Sequence, residues 1–373
     1  MKAILYICTE AAPGLVAYAT GILLSAAASG KVAVYALTVD DEKVSYRPYL
    51  KAFPPDHIHF LRMPEKKTCK IVQKLYKTTV LREAKKMCAA HHIDFIHLLT
   101  VDYTCATIFR RLKKIRPVYY TVHDVTPHEK AYTGMKDYFF STYIKWGVKR
   151  MMQQADYVVT NSKSQYQHLK AIVPYKNICF QLFPPLITAT ILTGDQTCPE
   201  LQGIDRYVLF FGNIDKYKGI EYLHEAFINN RQLLDYRLVI AGKGPVYFPH
   251  TGDPRVVFIN RHIADEEIKS LYTRASCVVY PYISATQSGV LTIAYKFNTP
   301  ALVSDIPFFR EVSDEKTCLF FRRADIADLS DKLETLLLHT DTAAMKAAQK
   351  KYFENNYAEK AVSASVSSIY HTF

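Results

Sequence analysis

Four short turns in the second half of the chain carry residue types suited to gripping an anion. In Phe211-Gly212-Asn213-Ile214-Asp215-Lys216-Tyr217-Lys218-Gly219, an apolar run breaks at a glycine, and Lys218 stands where a helix should begin. A helix N-terminus favours negative charge, and an adjacent ammonium adds a full unit of it, so this turn suits a diphosphate. A solvated turn lysine is the competing reading. In Ala241-Gly242-Lys243-Gly244-Pro245 the glycines let a base or ribose approach the backbone. The run Asn260-Arg261-His262-Ile263 can offer amides and carbonyls to a nucleobase edge, with Asp265 expected to cap the helix behind it. An ordinary connecting loop accounts for it equally well. In Thr286-Gln287-Ser288-Gly289-Val290-Leu291-Thr292 the amides of Ser288, Gly289 and Val290 should leave a helix N-terminus pointing at a phosphate. No turn has the G-x-G-x-x-G form, which argues against a nicotinamide dehydrogenase.

The first half offers fewer candidates. Gly14 follows the first apolar run, and His123-Asp124 ends a central one, in Thr121-Val122-His123-Asp124. A single histidine there is more often structural, but His-Asp at a strand end facing a cleft is a candidate for chemistry. Asn161-Ser162 ends the run 157–161 and is expected to face the same way. Asp40-Asp41-Glu42 reads as a solvated turn, not a metal site. No metal and no cofactor are expected.

These turns sit between alternating strands and helices. Strands are predicted at 3–8, 32–37, 57–61, 95–99, 118–123 and 157–161, with helices at 15–28, 70–90, 104–115 and 137–154. After a Pro- and Gly-punctuated linker at 184–205 the alternation restarts. Its strands fall at 207–211, 237–241, 256–258, 277–281 and 301–304, its helices at 219–229, 265–275, 289–296, 326–339 and 343–352. Short apolar strands alternating with helices mean parallel sheets covered on both faces. The fold class is therefore α/β, with two Rossmann-like domains over residues 1–186 and 187–354, and a C-terminal helix over about 355–373 packing back on the first. Ligands of such sheets bind at the carboxyl ends of the strands.

A chain of 373 residues, 49% hydrophobic and 22% charged, is globular. Its eight cysteines form no C-x-x-C pair and read as reduced core residues. No apolar run is long enough to span a bilayer, and the N-terminus reads as a strand and turn, so a cytoplasmic location is expected. Charge is unevenly spread: residues 1–186 carry 27 Lys and Arg against 13 Asp and Glu, residues 187–373 carry 20 against 22. Lys66, Lys67, Lys70, Lys74, Lys77, Arg82, Lys85 and Lys86 mark one basic segment and Arg110, Arg111, Lys113, Lys114 and Arg116 another. In 137–154, Tyr138, Phe139, Phe140, Tyr143 and Trp146 share a helix with Lys145, Lys149 and Arg150. Basic helices with aromatics suit an anionic membrane surface, although a solvated face over an aromatic core stripe fits as well. No nucleic-acid motif accompanies the charge, so nucleic acid is not expected as a partner.

The order and spacing of the four turns resemble the C-terminal domain of retaining GT-B glycosyltransferases, the family-4-like group 1 enzymes that build bacterial polysaccharides and glycolipids. The family has G-R-x-x-x-x-K-G, A-G-x-G and E-G-x-G…E-A-x-A-x-G-x-P; this chain has G-N-x-x-x-x-K-G, A-G-K-G and A-T-Q-S-G-V-L-T-I-A-Y-x-F-N-T-P. The resemblance is good over about 205–315 and in the first half is mainly one of layout. It implies two domains facing a cleft, a nucleotide-diphosphate-sugar donor and a saccharide or lipid-linked acceptor. It further implies retention at the anomeric carbon, in capsule, lipopolysaccharide or glycolipid synthesis on the inner face of a membrane. Donor binding would fall to Gly14, Gly212, Asn213, Gly242, Lys243, Gly244, Arg261, His262, Ile263, Gln287, Ser288, Gly289, Val290 and Thr292, catalysis to Lys218, His123 and Asp124. The family arginine is Asn213 here, and the two family glutamates fall on Ala285 and Ile293. Ser288 and Thr292 are expected to supply the lost hydrogen bonds. A non-catalytic sugar-nucleotide or polysaccharide binder of the same fold is the alternative.

Overall fold

The computed structural model describes residues 1–10, 13–40, 45–62, 70–100, 103–125, 135–174, 176–250, 252–285 and 288–371. The chain forms two compact units, one of Met1–Pro184 with Glu359–Phe373, the other of Pro185–Ala358.

The first unit holds a seven-stranded sheet. Its strands are β1 (Lys2–Cys8), β2 (Val32–Asp40), β3 (Ile58–Arg62), β4 (Phe95–Leu98), β5 (Val118–Thr121), β6 (Tyr157–Thr160) and β7 (Asn177–Phe180), in the order β3-β2-β1-β4-β5-β6-β7. Every pairing is parallel. Parallel sheets must be covered on both faces, and β4 shows the consequence, with all four residues buried. The covering helices are α1 (Pro13–Ala28), α2 (Lys70–Ala90), α3 (Phe109–Lys113), α4 (Met135–Gln154) and α5 (Lys163–Ile172). The core runs through Leu5, Ile7, Ile96, Leu98, Phe109 and Tyr120. A last helix, Glu359–Ser368, packs on α1, and beyond it Tyr370 hydrogen-bonds the Nδ1 of the buried His97. Burial drives the His97 pKa down to about 3, so this joint is uncharged.

The second unit repeats the plan with β8 (Tyr207–Phe211), β9 (Arg237–Ala241), β10 (Val256–Ile259), β11 (Cys277–Tyr280), β12 (Ala301–Ser304) and β13 (Leu319–Phe321), ordered β10-β9-β8-β11-β12-β13. All are parallel, and β11 is wholly buried. Its helices are α6 (Ala189–Thr193), α7 (Ile220–Asn229), α8 (Asp265–Thr273), α9 (Val290–Lys296), α10 (Pro307–Val312), α11 (Ile326–Glu334) and α12 (Ala343–Asn356). The helix over Glu359–Ser368 follows as α13.

Several elements depart from the sequence reading. The first sheet does not end at residue 161: α5 and β7 follow, so Asn161 and Ser162 lie in the crossover to the edge strand. The expected linker contains α6, and the second sheet gains α10 and the three-residue β13. The expected helix 104–115 is a 3₁₀ turn, Tyr103–Thr107, leading into α3. The seven described cysteines are free and buried.

In each sheet the strand order reverses once, between β1 and β4 and between β8 and β11. Crossover connections leave those two strands in opposite directions, which opens a crevice beyond their carboxyl ends.

Candidate functional site

The switch point of the second unit gathers the glycine turns. Gly212 follows β8, and its amide donates to Ala241 O at 3.0 Å. Gly242 follows β9 at φ 146°, and a Cβ there would stand 2.1 Å from Gly212 O. Gly244, at φ 157°, packs against Ile214 O in the same way. The first two turns are thus laid backbone on backbone, an approach that only glycine permits. The third turn is clasped to the second by Asn260: its Oδ1 accepts from Gly244 N at 3.1 Å and its Nδ2 donates to Gly244 O at 2.9 Å. The fourth turn is tied to the first where Ile283 N donates to Tyr217 O at 2.8 Å. Gly219, left-handed at φ 61°, fits closely against Pro281 O.

Lys218 ends a 3₁₀ turn (Lys216–Lys218) just before α7, and its side chain folds inward at 6% exposure. A Cβ on Gly212 would lie 2.5 Å from its Nζ. The ammonium therefore sits directly over the Gly212 backbone, at the mouth of the β8/β11 crevice. Among the described residues no carboxylate pairs with it, and burial lowers its pKa below the ordinary lysine value. A buried cation of this kind is costly unless a ligand supplies the counter-charge.

Two family models match the sequence, "Glycosyl transferases group 1" over residues 205–339 and "Glycosyltransferase Family 4" over residues 16–181. No curated protein matches. The fold is similar to Anabaena Alr3699/HepE, solved with UDP and glucose (13% identity, TM-score 0.71, both chains covered 100%). It is similar also to the sucrose-phosphate synthase of Thermosynechococcus elongatus (17%, 0.70, 100% of this chain and 98% of that one). A third is a glycosyltransferase from Rickettsia africae (13%, 0.70, 99% and 97%). The chain belongs to the group 1 glycosyltransferases. Its architecture is GT-B.

Within this glycosyltransferase, several residues expected at the donor are otherwise employed. Arg261 spans two acids, donating to Glu267 at 2.7 and 2.8 Å and to Glu200 at 2.9 and 3.0 Å. Its guanidinium lowers the Glu267 carboxyl to about 2. It fastens α8 to the segment before β8. Ile263 is buried in the core, while His262 and Lys243 are exposed and Asn213 points to solvent. Asp265 is not the cap of α8: Ala264 is the N-cap, with Glu267 Oε2 accepting from Ala264 N at 2.9 Å, and Asp265 instead accepts from Thr188 Oγ1 at 2.7 Å. The hydroxyl of Thr292, expected to supply a lost hydrogen bond, donates to Gly289 O at 2.6 Å inside α9. Gly289 is the N-cap of that helix, with Leu186 packed where its Cβ would be. Val290 is half-buried, its Cγ1 facing the Gly212 backbone across from Lys218. Ser288 Oγ lies 3.4 Å from Tyr282 OH. Gln287 lies outside the described residues.

In the first unit His123 and Asp124 follow β5, both half-buried. His123 Nε2 is 2.7 Å from Leu99 O, which fixes it as the protonated ring nitrogen, and Tyr18 meets the ring edge-on at 4.7 Å. Sequence reasoning missed the brace behind this turn. The buried Gln165 of α5 accepts from Val125 N at 2.8 Å and donates to His123 O at 2.9 Å. Across the β1/β4 switch point, Thr100 Oγ1 accepts from the amides of Thr9 and Glu10 at 3.0 and 3.3 Å. Among the described residues nothing lies within 4 Å of a Cβ built on Gly14. Asp40 is bound by both arms of Arg47, and among the described residues no cluster suits a metal.

Proposed function

We propose that this glycosyltransferase takes a nucleotide-diphosphate sugar in its second unit and transfers the sugar, with retention at the anomeric carbon, to a saccharide or lipid-linked saccharide. The observation that carries the reading is Lys218: a buried ammonium over a glycine backbone at a topological switch point, with no carboxylate partner among the described residues. In this reaction negative charge grows on the departing diphosphate, and a fixed cation with oriented amides stabilises that charge as it forms. Lys218 supplies the cation, and the Gly212 turn and the residues leading into α9 supply the amides. In this reading they also carry the charge that a metal ion would otherwise neutralise. His123, held by Leu99 O and Tyr18, with Asp124 beside it, is the catalytic candidate of the first unit. The crystal structure of Alr3699/HepE with UDP and glucose makes UDP the first nucleotide to try.

The acceptor belongs to the basic first unit. On α4, Trp146 is 43% exposed, stacked with Tyr143 at 5.7 Å and met by Arg150 at 5.2 Å. That exposure favours an anionic lipid surface beside the acceptor over a core stripe. Among the described residues no helix is long and apolar enough to cross a membrane, so contact with lipid would be peripheral. Synthesis of cell-surface polysaccharide or glycolipid on the inner membrane face follows from such an acceptor.

A thermal-shift screen of nucleoside diphosphates and their sugars tests the donor site, since a ligand bound only to the folded state raises the melting temperature. UDP or another member of the panel should do so, and no shift from any of them would remove the donor reading. Flotation with anionic liposomes at low salt tests the surface, and protein left in solution would remove it. The alternative, a binder without turnover, is favoured by Asn213, Ala285 and the core packing of Ile293, which is 3% exposed and presents no polar group. Donor hydrolysis or transfer above background excludes it.

A further inference from the structure

Among the described residues no acid forms an ion pair with the buried ammonium of Lys218, yet it is not without company. Three aromatic rings surround it: Tyr282 at 5.4 Å from Nζ to the ring centroid, Tyr217 and Phe210 each at 5.8 Å. The remaining side is Gly212, where any side chain would collide with Nζ. Tyr217 and Tyr282 come from two turns locked together by the Ile283 N to Tyr217 O bond, and Phe210 stands on β8. Tyr282 is itself fixed, with Ser304 Oγ donating to its carbonyl at 2.6 Å and Phe309 against its ring at 5.3 Å.

An acid at this place would make the buried lysine cheap, but it would also cancel the charge that a phosphate needs and repel the phosphate itself. A ring face attracts a cation through its quadrupole and adds no net charge. We propose that Phe210, Tyr217 and Tyr282 form an aromatic cage that stands in for a carboxylate, holding the Lys218 ammonium charged and fixed over Gly212 so that its whole charge is left for the diphosphate. The three are positioning residues, acting through Lys218, and the cage deepens the donor reading above. The other groups facing Nζ are Asp215, which favours the charged form from solvent, and the tyrosine hydroxyls. Burial pushes the Tyr282 hydroxyl above its ordinary range, so it stays neutral.

The test has a ligand-free arm and a ligand arm. In the first, NMR titration of carbon-labelled lysine follows Lys218 in wild type, Tyr217→Leu, Tyr217→Phe and Tyr282→Leu. Tyr217 is 37% exposed, so its variants should fold even if Tyr282→Leu does not. Losing a ring should lower the Lys218 pKa by about one unit, with Tyr217→Phe restoring it, from the usual strength of a partly desolvated cation–π pair. Equal titration in Tyr217→Leu and wild type, or a Phe variant as shifted as the Leu one, overturns the cage. The second arm measures UDP and uridine binding by calorimetry from neutral into alkaline pH. The alkaline fall in UDP affinity should begin about one pH unit lower in Tyr217→Leu, with uridine unaffected. If wild type binds neither UDP nor any other nucleoside diphosphate of the panel the donor reading fails, while the ligand-free arm still decides the cage.

Discussion

Lys218→Met separates what the buried lysine does for binding from what it costs the fold. The methionine keeps an unbranched side chain in the cavity and removes the charge. A unit charge about 4 Å from a phosphate, at the effective dielectric typical near a protein surface, is worth about 4 kcal/mol, which corresponds to roughly a thousandfold in UDP affinity. The fold should respond in the opposite direction. Burial disfavours the ammonium in the native state and lowers its pKa. Relief of such functional strain is commonly worth about 0.5–2 kcal/mol, and each kcal/mol moves the melting temperature of a domain this size by about 2–4 °C. The sign with pH follows. Near neutrality both native and unfolded chains carry the proton, and the cost of burying it is fully present. As pH rises through the lowered native pKa toward the ordinary lysine value, the native chain sheds the proton first, and the cost vanishes. The stability advantage of Lys218→Met should therefore shrink as the solution becomes alkaline. Scanning calorimetry of both proteins at several pH values, with and without UDP, reads all of this. A variant several degrees less stable without ligand, or one that keeps the wild-type UDP shift, would refute the reasoning.

The glycine turns give further expectations. Gly219→Ala should cost about 2–4 kcal/mol in urea unfolding, because it combines a left-handed backbone with a Cβ 2.2 Å from the rigid Pro281 carbonyl oxygen. Gly289→Ala should cost about 1–3 kcal/mol by clashing with Leu186, and Leu186→Ala should rescue part of it. Additive losses in the double variant would show that the two positions do not meet. The Arg261–Glu267 pair should contribute roughly 2 kcal/mol above the ordinary glutamate range and lose it as pH falls toward about 2, since the native carboxyl pKa is depressed. Glu267→Gln should flatten that acid limb while leaving UDP affinity near wild type, and a large loss of affinity would return Arg261 to the donor site.

The alternation of strands and helices was legible because a parallel sheet buried on both faces needs continuous apolar strands, and β8, β9 and β12 fall where the sequence puts them. Apart from the ten-residue α5, the elements that escaped were short. β7 is a four-residue edge strand, half-buried and next to Lys176, and β13 has three residues, too few for a period to show. The turns were legible for a different reason. Gly212, Gly219, Gly242 and Gly244 all adopt positive φ, and three of them meet a carbonyl oxygen where a side chain would begin. Such positions admit one residue type, so the requirement is written into the sequence.

Charges obey another rule, and this is why the site was only partly readable. Arg261 and Lys218 look alike in the sequence, each a cation in a strand-end turn. What distinguishes them is a partner. Arg261 is held by Glu267, six residues on, and by Glu200, sixty-one residues back, and such pairing makes it part of the fabric. Lys218 is met by aromatic rings that carry no charge to mark them in the sequence. Thr292 shows the same thing for a hydroxyl, spent on Gly289 O one turn earlier. A polar group already engaged by the fold has less left to give a ligand. A buried cation met mainly by neutral rings keeps most of its demand for a counter-charge. That difference arises only when distant segments meet, so the sequence can name the candidates for an anion site, but the fold selects among them.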